Sequence, residues 1–159
     1  MFSVLQFRTY GTGFTDIKLS WNWGAIHPVT GKVDREYDTK SFRSTADAQR
    51  YVESKKLWWL REMVRKYIEH KQILMSVSDR YFISRKIGAM RACSNILMHL
   101  EELTLKHLCR MVLLLKKEME KILPSPRNNS YHSSLWNLNE IIRFSEEEMT
   151  HTFNEPLPS

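Results

Sequence analysis

The chain has 159 residues, 42% hydrophobic and 26% charged, and a formal net charge of +6. That hydrophobic share excludes a disordered chain, and the length suits one ordinary domain with its own core. The longest apolar run, Met111–Leu115, has five residues, far short of the roughly 18 to 20 that a membrane-crossing helix needs, so no membrane partner is expected.

From Phe2 to Tyr10 the residues suit a strand, punctuated by Gly11-Thr12-Gly13. The stretch lacks acidic residues and carries Arg8, a faint likeness to a mitochondrial presequence, but its alternation reads as a strand. Next, Ile17, Leu19, Trp21 and Trp23 alternate with Lys18, Ser20 and Asn22, the period of a strand with one buried face. The His27-Pro28-Val29-Thr30-Gly31 stretch is turn chemistry, and Lys32–Phe42 is expected to return antiparallel. A three-stranded sheet cannot bury its apolar face alone, and a helix comes next to cover it.

Ser44-Thr45-Ala46-Asp47 has the spacing of an N-terminal cap, and the pattern predicts a helix from about Thr45 to about Met75. At about 100° per residue, Val52, Leu57, Leu60, Met63, Val64, Tyr67, Ile68 and Leu74 form an apolar half with Trp59 at its edge. Trp58 falls among Lys55, Arg61 and Glu62 instead. Trp59 is therefore a core residue. Trp58 is either covered by another part of the chain or open to a partner.

Ser76-Val77-Ser78-Asp79 offers a second cap, and from Ser78 to Leu123 there is no proline and one glycine, Gly88. A single helix of that length would span about 70 Å, against about 40 Å for a compact domain of this size. It must bend, break near Gly88 or within His99–Lys106, or protrude. Pro124-Ser125-Pro126 stops it, Arg127–Ser134 reads as a loop, and Leu135–Met149 as a last helix of about four turns. Its acidic end, Glu146–Glu148, either folds back on the basic helices or faces water, and Phe153–Ser159 reads as a tail. The expected class is α+β: a small N-terminal antiparallel three-stranded sheet packed on three to four helices, one of them long or kinked. The expected segments are a β-sheet subdomain at 1–43, a basic helical body at 44–123, and a linker, C-terminal helix and tail at 124–159, together one compact domain.

Residues 1–43 hold six Lys/Arg against four Asp/Glu, residues 44–123 sixteen against nine, and residues 124–159 two against five. Arg50–Arg91 alone has eleven against four, so the basic excess of the middle segment lies there. A concentration of that kind is an electrostatic footprint for a polyanion. The two cysteines, Cys93 and Cys109, lie in helical sequence and predict buried free thiols in a cytoplasmic protein. Cys93, His99, His107 and Cys109 would point to different sides of a helix, so no metal site is expected, and no phosphate-cradling loop or nucleophile motif suggests a cofactor or an enzyme. The expected function is non-enzymatic nucleic-acid binding by an accessory or regulatory protein, with DNA favoured over RNA. Its surface would comprise Lys55, Lys56, Arg61, Arg65, Lys66, Arg85, Lys86 and Arg91 on phosphates, with Trp58 stacking. The alternative is a protein–protein adaptor or small subunit docking on a larger complex, with Trp58 as an anchor.

Within Trp21–Lys56, the order Trp23-Gly24, Gly31, Phe42-Arg43-Ser44, Ala48 and Lys55-Lys56 resembles the WGR family of DNA-binding modules. The arginine of that family's motif is Ala25 here, and the turn after it is longer. The same segment, with Lys40–Ala48 as "KSFRSTADA", also resembles the arm-binding domain of tyrosine recombinases. Both resemblances imply binding to DNA.

Overall fold

The computed structural model describes residues 1–24, 29–32, 34–76, 83–122 and 129–154, and their side chains except at 70–76, 83–86, 122, 129–137 and 151–154. The described residues form an α+β fold: strands β1 (Ser3–Thr9), β2 (Thr15–Trp21) and β3 (Glu36–Phe42), then helices α1 (Thr45–Ser76), α2 (Ile83–His99), α3 (Leu105–Ile122) and α4 (Asn129–Asn154). No helix among the described residues is long and apolar enough to cross a membrane. The chain divides into two compact units, Met1–Leu60 and Arg61–Ser159. The boundary lies inside α1.

In the first unit the sheet is antiparallel in the order β1-β2-β3. Its β1–β2 turn closes by two backbone bonds, Gly13 N to Tyr10 O and Tyr10 N to Phe14 O. Gly13 sits there at φ 90°, a conformation that side-chain-bearing residues avoid. β2 is central, and its alternation places Ile17, Leu19 and Trp21 in the core, at most 5% exposed. β2 ends at Trp21 rather than Trp23, and β3 begins at Glu36 rather than Lys32. Ser44 caps α1 as its spacing implies: its Oγ accepts from the Asp47 amide and its carbonyl from the Ala48 amide, both at 3.2 Å. Ala48, Val52, Trp59 and Leu60 complete this core with Phe2.

In the second unit the expected long helix breaks after His99, not at Gly88. The amides of Glu102 and Leu103 both close on the His99 carbonyl, and Thr104 caps α3 by accepting from the His107 amide at 3.3 Å. Gly88 stays inside α2, where a Cβ would lie 2.0 Å from the Glu118 Oε2, so its bare backbone makes room for a carboxylate of α3. α2 lies against α3 and α3 against α4. Their shared core includes Cys93, Ile96, Leu108, Val112, Leu115, Leu138 and Ile141, each at most 2% exposed. Both cysteines are buried free thiols, and burial pushes the Cys93 thiol up to about 11. α4 starts at Asn129 and runs to Asn154, so much of the expected loop and the start of the expected tail are helical. The reason is local: Asn129 and Ser130 favour a helix start, and neither proline nor glycine interrupts the next 24 residues. Glu146 does fold back, its Oε1 lying 2.8 Å from the Lys116 Nζ, which raises the lysine's pKa. The second cap proposed at Ser76–Asp79 falls mostly outside the described residues.

Candidate nucleic-acid interface

The nine residues singled out for a polyanion fall in both units: Lys55, Lys56 and Trp58 in the first, Arg61, Arg65, Lys66, Arg85, Lys86 and Arg91 in the second. Several of their charged heads have internal work. The Arg61 guanidinium donates to the carbonyls of Glu101 and Leu103 at 3.1 and 3.0 Å, fastening the α2–α3 turn. Arg65 donates to the carboxylates of Glu62 and Glu101. Lys56 is half-buried, Lys66 and Arg91 are exposed, and Arg85 and Lys86 lie in α2 with their side chains outside the described residues. Removing Arg61 leaves the part-buried Leu103 carbonyl without its donor, while the exposed Glu101 carbonyl turns to water, so Arg61→Ala is expected to lower stability by about 1–2 kcal/mol. A chemical-denaturation curve unchanged from wild type would contradict the assignment of that guanidinium to the turn.

Trp58 is 39% exposed, and its neighbours answer what it does within the chain. Trp21 and Trp23 meet it edge-on, with ring centroids 5.5 and 5.1 Å away. Both of those indoles donate to one carboxylate oxygen of Glu36, at 2.6 and 3.0 Å, which fixes their edges. The Lys55 ammonium lies 4.6 Å over the Trp58 ring and 5.3 Å over Trp21, a cation–π arrangement. Its counter-charge, Asp38, is 3.9 Å away and also accepts from the Tyr51 hydroxyl. Burial, together with the hydrogen bond and charge of Asp38, raises the Tyr51 pKa. One face of Trp58 thus holds a lysine of its own helix.

Trp59 is fully buried, and its indole N–H donates to the Asn22 carbonyl at 2.9 Å.

A second cationic surface is assembled by strand pairing. Because Ile17, Leu19 and Trp21 face the core, Asp16, Lys18 and Ser20 face the other way, and their cross-strand partners share that outer face. Three rows result: Arg8, Asp16 and Ser41; Gln6, Lys18 and Thr39; Ser3, Ser20 and Tyr37. Arg35 continues the face beyond β3, its Nε 2.8 Å from the Ser20 Oγ. Arg8, Lys18, Arg35, Gln6, Thr39, Ser41 and Tyr37 are all exposed. Lys18 lies 5.5 Å over the Tyr37 ring and Arg8 5.0 Å over Tyr10, so two of the three cations are held against aromatic faces. The face has three cations against one carboxylate, Asp16, which accepts from Ser41. In the sequence these cations lie ten and seventeen residues apart and form no cluster. The alternation of β2 identified Lys18 as outward, but Arg8, Arg35 and Tyr37 become its neighbours only through register.

No protein-family model matches the chain, and neither a curated protein nor a solved structure matches it.

Proposed function

We propose that the protein binds nucleic acid, with duplex DNA as the preferred form, and that the outer face of the three-stranded sheet is the contacting surface. The observation that supports this reading most is the exposed combination of Arg8, Lys18 and Arg35 with Gln6, Thr39, Ser41 and Tyr37 on one ribbon. Cations on such a face neutralise phosphates, and amide and hydroxyl groups between them can read base edges. The major groove of B-form DNA, roughly 12 Å wide, admits β-strands whose outward side chains reach base edges. The resemblance of residues 21–56 to DNA-binding modules points the same way. An A-form RNA duplex offers only a deep, narrow major groove, which favours DNA over RNA. In this reading Lys56, Lys66, Arg85, Lys86 and Arg91 add general attraction, while Lys55 and Trp58 brace the sheet end. The chain then acts as a non-enzymatic accessory or regulatory factor.

The test is fluorescence anisotropy of a labelled DNA duplex with the full chain, at salt from about 50 to 300 mM. Three or more phosphate contacts predict that log K falls with log salt with a slope of about −3 or steeper. The matching RNA duplex is expected to bind more weakly. Absence of binding to any duplex or single strand at the lowest salt would end this reading.

A further inference from the structure

From the outer face of α2 we infer that the protein carries a second docking surface, for an acidic amphipathic helix of a partner protein. α2 is apolar on two opposite sides. One side, Ala89, Cys93, Ile96 and Leu100 at its end, is buried at 3% exposure or less. The other carries Ile87, Met90 and Met98, exposed by 41%, 49% and 73%. With Ser94 as reference and about 100° per residue, Ile87, Met90, Ser94 and Met98 fall within an arc of about 80°, with Arg91 on its flank. Ile87, Met90, Arg91, Ser94 and Asn95 line one open concavity of about 360 Å³. A helix with apolar residues on both sides is the pattern of one covered on both sides, and among the described residues this side stays open.

The chemistry of the face selects its occupant. Arg91 flanks the stripe, and Ile83–His99 contains no acidic residue. Glu118, whose carboxylate lies against Gly88, is held by Lys121 at 3.1 Å, and Glu102 lies by His99. An apolar stripe on a helix without acidic residues complements a helix whose own apolar stripe is edged with glutamate or aspartate. A second copy would bring like charges together. A lipid surface would meet Ser94 in the middle of the stripe, where membrane-bound helices carry large apolar side chains. Ile87 to Met98 is three turns, about 16 Å, one turn longer than an i, i+3, i+7 recognition stripe. Two flexible methionines in that stripe can adapt to the partner's side chains. This surface is independent of the sheet face proposed above.

The test uses the full chain and a labelled helical peptide of about five turns, with leucine along one face and glutamate along its flanks, beside a counterpart with lysine in place of glutamate. The glutamate peptide is expected to bind, with amide shifts confined to residues 87–98. Met90→Ser/Met98→Ser is expected to weaken it about ten-fold or more, since most of the buried apolar area goes. Arg91→Glu is expected to weaken it several-fold, and the lysine peptide to bind far less. The DNA titration should be unchanged in the Met90→Ser/Met98→Ser variant. Exposed positions keep the fold intact, which unchanged thermal melting verifies. No binding of the glutamate peptide, equal binding by the double variant, or equal binding of the lysine peptide would overturn the proposal. So would a concentration-dependent dimer abolished by the double variant, which assigns the face to a second copy. Binding to phosphatidylserine vesicles lost in the same variant would assign it to a membrane, and equally overturn the proposal.

Discussion

Replacing Trp59 by alanine is expected to cost about 4 kcal/mol of stability, several times the cost of the same change at its neighbour Trp58. Trp59 has no exposed surface, and its ring lies 6.0 Å from that of Phe2 in the core of the first unit. Truncating a buried aromatic to alanine leaves a cavity and removes about 3–5 kcal/mol. The Asn22 carbonyl, on a residue only 5% exposed, also loses its donor. Trp58 loses two edge-on aromatic contacts and a cation–π contact, but its site is already partly open, so about 1–2 kcal/mol is at stake. Guanidinium titration of both variants, read by far-UV circular dichroism, checks the contrast. Equal losses, or a larger loss at Trp58, would contradict the division of roles between the two rings. Trp59→Phe isolates the hydrogen bond, and is expected to recover more than half of the alanine loss.

The second large effect is on binding. Neutralising Arg8, Lys18 and Arg35 together to glutamine is expected to weaken duplex DNA binding about a hundred-fold at physiological salt. Each neutralised phosphate contributes a factor near salt concentration to the power −0.9, about five-fold at 0.15 M, and three such factors multiply to about one hundred. The salt slope should flatten by about 2.7 at the same time. A structural loss would lower affinity without that change of slope, so the two are separable. The matching triple variant at Arg61, Arg65 and Lys66 is expected to behave the other way: lower stability, because Arg61 and Arg65 hold the α2–α3 turn, and a much smaller change in slope. If the helix triple flattened the slope and the sheet triple did not, the contacting surface would be the helix.

Local rules carried much of the fold. The alternation of Ile17, Leu19 and Trp21 marks β2 and its buried side, because a strand turns successive side chains to opposite faces whatever surrounds it. Ser44 announces the start of α1, because a cap satisfies amides within one turn of itself. The burial of Trp59 is dictated by helical angles alone. The long series after Ser78 shows the limit of the same rules. Its helical spacing is real on both sides of the break, and the stop at His99 depends on Thr104 capping the start of α3. Gly88, the residue with the weakest helix preference there, stays inside α2, and the Glu118 carboxylate lies in the space it leaves.

The sequence by itself determined the class of the fold, the start of α1, the core side of β2 and the basic excess of the middle segment. The start of α1 and the core side of β2 are properties of residues within a few positions of one another, and the class and the charge excess are sums along the chain. The tertiary structure alone decided where the charges went. It brought Trp21 and Trp23 to the ring of Trp58, and the carbonyls of Glu101 and Leu103 to Arg61, across some forty residues. Strand register set Arg8 and Tyr37 beside Lys18. A cation's availability depends on which acceptor lies within a few ångströms, and that distance is fixed by packing between segments, which no local periodicity encodes.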